Sequence, residues 1–133
     1  MLFRSVLDRT IPLLKMKMVE RSDGAVQHET LVDFSKIRTL VICGCGFPAW
    51  DGNFDALRIM CRNCFGDPDM VFVPETPLLN IPQAAAVADP LLAKFEQAGE
   101  EYGKNLTLSE QTVASLETPM IPKDAYLRAV NGE

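Results

Sequence analysis

Between Lys15 and Arg21 the chain alternates, with Met16, Met18 and Glu20 on one side and Lys17, Val19 and Arg21 on the other. A period of two residues belongs to a strand. Ser22-Asp23-Gly24 comes next, and Asp-Gly is a strong turn signal. The pattern predicts a small hairpin near 15–31, with strands over Lys15–Arg21 and Ala25–Leu31. His28, the single histidine, falls on the second strand and reads as a surface residue. Upstream, Phe3, Val6 and Leu7 recur at helical spacing, which predicts a short helix over Phe3–Thr10 ended by Pro12.

Alternation gives way to a dense apolar run at Arg38–Cys43, and a second one spans Met70–Val73. Runs of this kind, rich in β-branched residues, read as parallel strands buried on both faces. Between them Phe54, Leu57, Cys61 and Cys64 form one apolar helical stripe, with Asn53 as the expected N-cap and Gly66-Asp67-Pro68 as the stop. Strands 38–43 and 70–73 with this helix make one βαβ unit. The remainder reads as helical. Asp89 caps a helix opening at Pro90, with Leu91, Leu92, Phe95, Ala98 and Tyr102 as its stripe and Gly103 as its stop. Thr107-Leu-Ser-Glu110 reads as a capping box for a helix through Leu116, and Pro122–Val130 as a last short helix. The fold class is therefore α/β in a single domain, 1–133. Its two-stranded sheet is small against the usual ~4–6 strands, so one edge is expected to need cover.

Composition narrows the partners. The formal net charge is −5, which argues against nucleic acid, because phosphate neutralisation needs a basic face. The longest uncharged run, Thr76–Ala88, is shorter than the ~20 residues of a bilayer span and contains Pro77 and Pro82, so no membrane segment is expected. The N-terminal stretch carries Arg4, Asp8 and Arg9 and has no unbroken apolar core of a signal peptide. A cytoplasmic protein is expected, with Cys43, Cys45, Cys61 and Cys64 as thiols.

The candidate chemistry sits where the first apolar strand ends. CGCGFPAWDGNF runs from that strand into a helix, and open α/β sheets bind ligands beyond the carboxyl ends of their strands. Gly44 and Gly46 allow close backbone approach, while Phe47 and Trp50 offer flat faces. The plainer reading is a tight turn with two core side chains. The Cys-x-Cys and Cys-x-x-Cys pairs have metal-like spacing, but three of the four thiols fall on a buried strand or a helix stripe, so no metal is expected. Cys45 alone lies on the loop as a candidate thiol. Glu96, Glu100 and Glu101 read as a solvated helix face. No phosphate-binding loop is present.

Taken together, ICGCGFPAWDGNFDAL, VFVPETPLLN and IPKDAYLRAVN resemble one family, the flavodoxin-like NAD(P)H-dependent oxidoreductases of the FMN reductase type. LDRTIPL and DGAVQHE resemble the segment after that family's third strand. The resemblance covers nearly the whole chain and implies a truncated flavodoxin-like unit, the second half of a domain that has five parallel strands. It implies FMN and NAD(P)H as cofactors, with Gly44, Cys45, Gly46, Phe47 and Pro48 beside the isoalloxazine ring. It also implies that a separate polypeptide, or a subunit interface, supplies the first half with its phosphate loop. The competing expectation is a non-catalytic half-domain, a binding or structural module or an inactive remnant. Either way a homodimer through the strand edge near 38–43 is expected.

Overall fold

The computed structural model describes residues 9, 11–33 and 36–132. The helix expected over Phe3–Thr10 lies outside them apart from Arg9. The described chain is mixed α/β, with two two-stranded sheets and four α-helices. Strands β1 (Leu14–Glu20) and β2 (Val26–Thr30) form the antiparallel hairpin, one residue from the expected bounds. Its turn closes through Gly24, at φ +81°, whose N–H donates to the Arg21 carbonyl at 3.0 Å. That left-handed backbone is strain-free only for a residue without Cβ. Lys15 and Lys17 straddle Glu29 across one face, and together they hold its carboxyl below the usual range. On the other face Met16 is 92% exposed. His28 is half-buried rather than on the surface, and its Nδ1 is buried without a partner among the described residues.

Strands β3 (Leu40–Gly44) and β4 (Asp69–Val73) pair in parallel, in register from Leu40↔Asp69 to Gly44↔Val73. Helix α1 (Asp55–Phe65) connects them. Helices α2 (Ala85–Asn105), α3 (Glu110–Glu117) and α4 (Lys123–Asn131) complete the chain. One face of the sheet carries the core, where Val71 and Val73 pack with Leu91 and Ala98 of α2, Leu108, and Leu116 of α3. Burying each aliphatic side chain of this size is worth about 1.5–3 kcal/mol. The opposite face meets α1, where the Phe54 ring stacks on Phe72 at 4.8 Å and Cys61 is buried. Among the described residues no helix is long and apolar enough to cross a membrane.

Several local expectations are corrected. β3 is not buried on both faces: Ile42, on the same face as Val71 but at the outer edge of the sheet, is 55% exposed, because among the described residues no third strand pairs beyond it. Cys64 is exposed, so it is not part of the buried stripe of α1. Asn53 does not cap α1; Phe54 holds that position without a side-chain bond, and Asn53 is used in the preceding loop. Helix α2 opens at Ala85 rather than Pro90, running on from a 3-10 turn at Pro82–Ala84. Pro90 is tolerated inside it because the carbonyl it leaves without a donor, on Ala86, belongs to an exposed residue. Gly103 does not stop α2. The left-handed stop falls on Leu106, at φ +56°, after Tyr102 has packed against the core.

The cap of α3 is Ser109, not Thr107, and its Oγ accepts from the Thr112 N–H at 3.2 Å. The carboxylate that a capping box takes from the helix's own third residue comes instead from α2. Glu101 accepts from the Ser109 N–H at 2.6 Å and from the Thr112 hydroxyl. Glu101 is thus not part of a solvated face, and these bonds lower its pKa below the usual carboxylate value.

Candidate functional site

Because β3 and β4 are parallel, both carboxyl ends lie at one end of the sheet, and the loops leaving them continue the pairing. The Cys45 N–H donates to the Val73 carbonyl at 2.9 Å. The Thr76 N–H donates back to the Cys45 carbonyl at 3.0 Å, and its hydroxyl to the same oxygen at 3.0 Å. The Glu75 N–H holds the Phe47 carbonyl at 3.0 Å. The Tyr126 hydroxyl, from α4, donates to the Gly46 carbonyl at 2.7 Å. Asn53 Nδ2 donates to the Pro48 carbonyl at 3.0 Å. Four consecutive carbonyls, Cys45 to Pro48, are therefore all engaged within the protein.

What the loop leaves open is complementary to what it uses. The amides of Gly46 and Phe47 donate to no acceptor among the described residues. Phe47 is 69% and Trp50 67% exposed. The expectation of two core side chains in a tight turn is thereby corrected. The structure brings Gly44, Cys45, Gly46, Phe47 and Pro48 together as one anchored loop. Gly44 is required by contact rather than by dihedral freedom: a Cβ there would overlap the Thr76 methyl group.

Two further residues support the site. Glu75 is 0% exposed, in a left-handed conformation at φ +60°, and its Oε2 accepts from the Met120 N–H at 2.9 Å and the Ile121 N–H at 3.2 Å. Its Oε1 is buried with no partner among the described residues. Tyr126, buried on α4, has its phenol pKa raised by burial, by Glu75 and by Cys45. Sequence reasoning missed both. The one signal for Glu75 was a carboxylate between two prolines in an otherwise uncharged run, and Tyr126 carried none.

Beside the loop lies an open cleft of about 450 Å³ between Trp50, Phe54, Arg58, Phe72, Pro74 and Glu117. The Arg58 guanidinium stacks 4.6 Å over the Phe72 ring, which fixes its charge on this wall.

The thiols differ in environment. Burial raises the pKa of Cys43, with Cys45 adding to it, and burial raises that of Cys61, with Cys64 and Cys43 adding. Raised thiols are poor nucleophiles at neutral pH. Cys45 is half-buried with Sγ 3.6 Å from the Phe47 carbonyl oxygen. Among the described residues no three His, Cys, Asp or Glu side chains converge as metal ligands would. No protein-family model, curated protein or solved structure matches the chain.

Proposed function

We propose that this chain is the C-terminal portion of a flavodoxin-like NAD(P)H-dependent FMN oxidoreductase, acting where a further polypeptide segment completes the flavin site. The observation that carries the reading is the loop Gly44–Pro48, whose carbonyls are all tied inward while two amides and two aromatic faces stay open. Such a loop suits the edge of a flat heterocycle that accepts hydrogen bonds, and its position beyond parallel strands is the usual ligand position of open α/β sheets. The donor set fits the isoalloxazine ring alone: Gly46 and Phe47 would hold its polar edge. The flavin phosphate would be held by the polypeptide that completes the site. Bound FMN would supply hydride transfer from NAD(P)H to an acceptor. Four cysteines free of disulfides suit a reducing compartment, and we place the protein in the cytoplasm.

A second reading rests on a different observation. The outer edge of β3 is unpaired among the described residues and Ile42 stands exposed on it, which suits a non-catalytic half-domain that dimerises by extending its sheet.

An FMN titration followed by flavin fluorescence and absorbance, with mass by light scattering in the same sample, separates the two. Saturable binding that weakens on Phe47→Ala supports the first. A dimer that takes up no flavin, either alone or in a reconstituted complex with a polypeptide that supplies the first half, supports the second and removes the first.

A further inference from the structure

We infer that Tyr126 is a positioning residue for the Gly44–Pro48 loop, so that the last helix of the chain sets the shape in which the loop meets its ligand. The inference rests on the reading of this loop as a ligand site, but the contact that carries it does not. Two ties run from the C-terminal segment to the loop. One is direct, the Tyr126 hydroxyl on the Gly46 carbonyl at 2.7 Å. The other is relayed: the Met120 and Ile121 amides hold Glu75 Oε2, and the Glu75 amide holds the Phe47 carbonyl. The two carbonyls lie on successive residues, and their own amides are the two that the protein leaves open. Rotating the Gly46–Phe47 peptide plane to release its carbonyl turns the Phe47 N–H with it, because the plane is rigid, whereas the Phe47 carbonyl shares its plane with Pro48, which has no N–H. The amide of Phe47 belongs to the same plane as the Gly46 carbonyl. Tyr126 therefore fixes the plane in which the Phe47 N–H lies.

The tie is also the main attachment of its helix. On α4 only Tyr126 is buried, while Leu127 and Val130 are exposed. Pro119 and Pro122 break the chain before it. A short helix held by one buried phenol is easily detached, so loop geometry and α4 docking are coupled. Tyr126 is buried, whereas the Phe47 and Trp50 rings are exposed. Tyr126 thus acts through Gly46 rather than on the ligand.

Native-state hydrogen exchange tests the coupling in the unaltered chain. The amides of Cys45, Glu75 and Thr76 hold the loop, and they should open at the same low denaturant concentration as α4, before the amides of β4. If they stay protected while α4 exchanges, the inference is overturned. Tyr126→Phe keeps the ring and removes the donor. Exchange at those three amides should then rise on the order of tenfold, the equivalent of one net hydrogen bond, with β4 unchanged. Tyr102→Phe, which alters a half-buried phenol on α2, should leave them unchanged. Equal acceleration across the whole chain would mean a merely structural role and would overturn the inference. FMN is the ligand probe: Tyr126→Phe should weaken its binding several-fold at unchanged stoichiometry. Where the wild-type chain alone binds no FMN, the flavin reading passes to the reconstituted complex, and the exchange result by itself decides the coupling.

Discussion

Glu117 Oε1 accepts from the Phe72 amide at 2.9 Å, so the outer edge of β4 is closed by a side chain rather than by a strand. The pairing with β3 uses the other side of β4, where the Asp69 N–H bonds the Thr39 carbonyl and the Cys45 N–H bonds the Val73 carbonyl. That leaves the Phe72 amide directed outward. The last residue of α3 meets it, and α3 simultaneously packs Leu116 into the core. Glu117→Ala leaves a buried residue's amide without a partner, which costs about 1–3 kcal/mol. The expected outcome is a lower denaturant midpoint at unchanged slope. Glu117→Gln, which keeps an acceptor, should recover most of the loss.

Glu101 gives a pH dependence of definite sign. The Thr112 hydroxyl and the Ser109 amide favour its ionised form in the folded chain and lower its pKa. A carboxyl lowered on folding contributes stability above its unfolded pKa and loses it as pH falls through the folded value. Stability should therefore decline as pH drops below the ordinary carboxylate range. Glu101→Gln should flatten that decline. Equilibrium unfolding at a series of acidic pH values measures the difference, and identical profiles would show that the α2–α3 link carries no weight.

The regions readable from sequence were those where a local pattern and its packing agree. Alternation and Asp-Gly placed the hairpin within a residue, and two apolar runs placed β3 and β4. Local signals failed where a distant residue supplied the partner. Ser109 is capped by Glu101 of another helix, so a local box at Thr107 was the wrong one. Asn53 has the chemistry of a helix cap but is held by the Pro48 carbonyl. Pro90 and Gly103 punctuate only where the backbone needs them, and the positive φ fell on Leu106. At the candidate site the loop itself was legible from Gly44 to Pro48. Its supports were not, since Tyr126 lies 80 residues beyond Gly46 and Glu75 reaches Met120 across 45.

Gly44→Ala probes the close approach of the two loops. The new methyl would occupy the place of the Thr76 methyl, and Thr76 cannot swing aside cheaply: its side chain is β-branched and its hydroxyl holds the Cys45 carbonyl at 3.0 Å. Overpacking of this kind costs about 1–3 kcal/mol. The double variant Gly44→Ala with Thr76→Ser removes the obstructing methyl and keeps the hydroxyl. It should regain part of the lost stability, and thermal unfolding of the single and double variants checks this. A double variant no more stable than Gly44→Ala would show that the obstruction is backbone rather than Thr76.

The free edge of β3 carries the last prediction. Thr39, Val41, Cys43 and Cys45 direct their backbone groups toward β4, as the register and the flanking bonds require. Leu40, Ile42 and Gly44 therefore direct theirs outward, an odd set of three with Ile42 at its centre. An antiparallel two-fold pairing of such an edge with its own copy places Ile42 opposite Ile42 as a hydrogen-bonded pair, with Leu40 opposite Gly44 on either side. The exposed Ile42 side chains then share one face, next to a small apolar cavity of about 70 Å³ lined by Leu40, Val71, Phe95 and Leu116. Ile42→Lys puts like charges directly opposite each other at the two-fold axis, where they repel. The wild-type chain should run as a dimer by light scattering at micromolar concentration, and Ile42→Lys as a folded monomer. A monomeric wild type at that concentration would rule out pairing through this edge, and a dimer that survives Ile42→Lys would place the interface elsewhere.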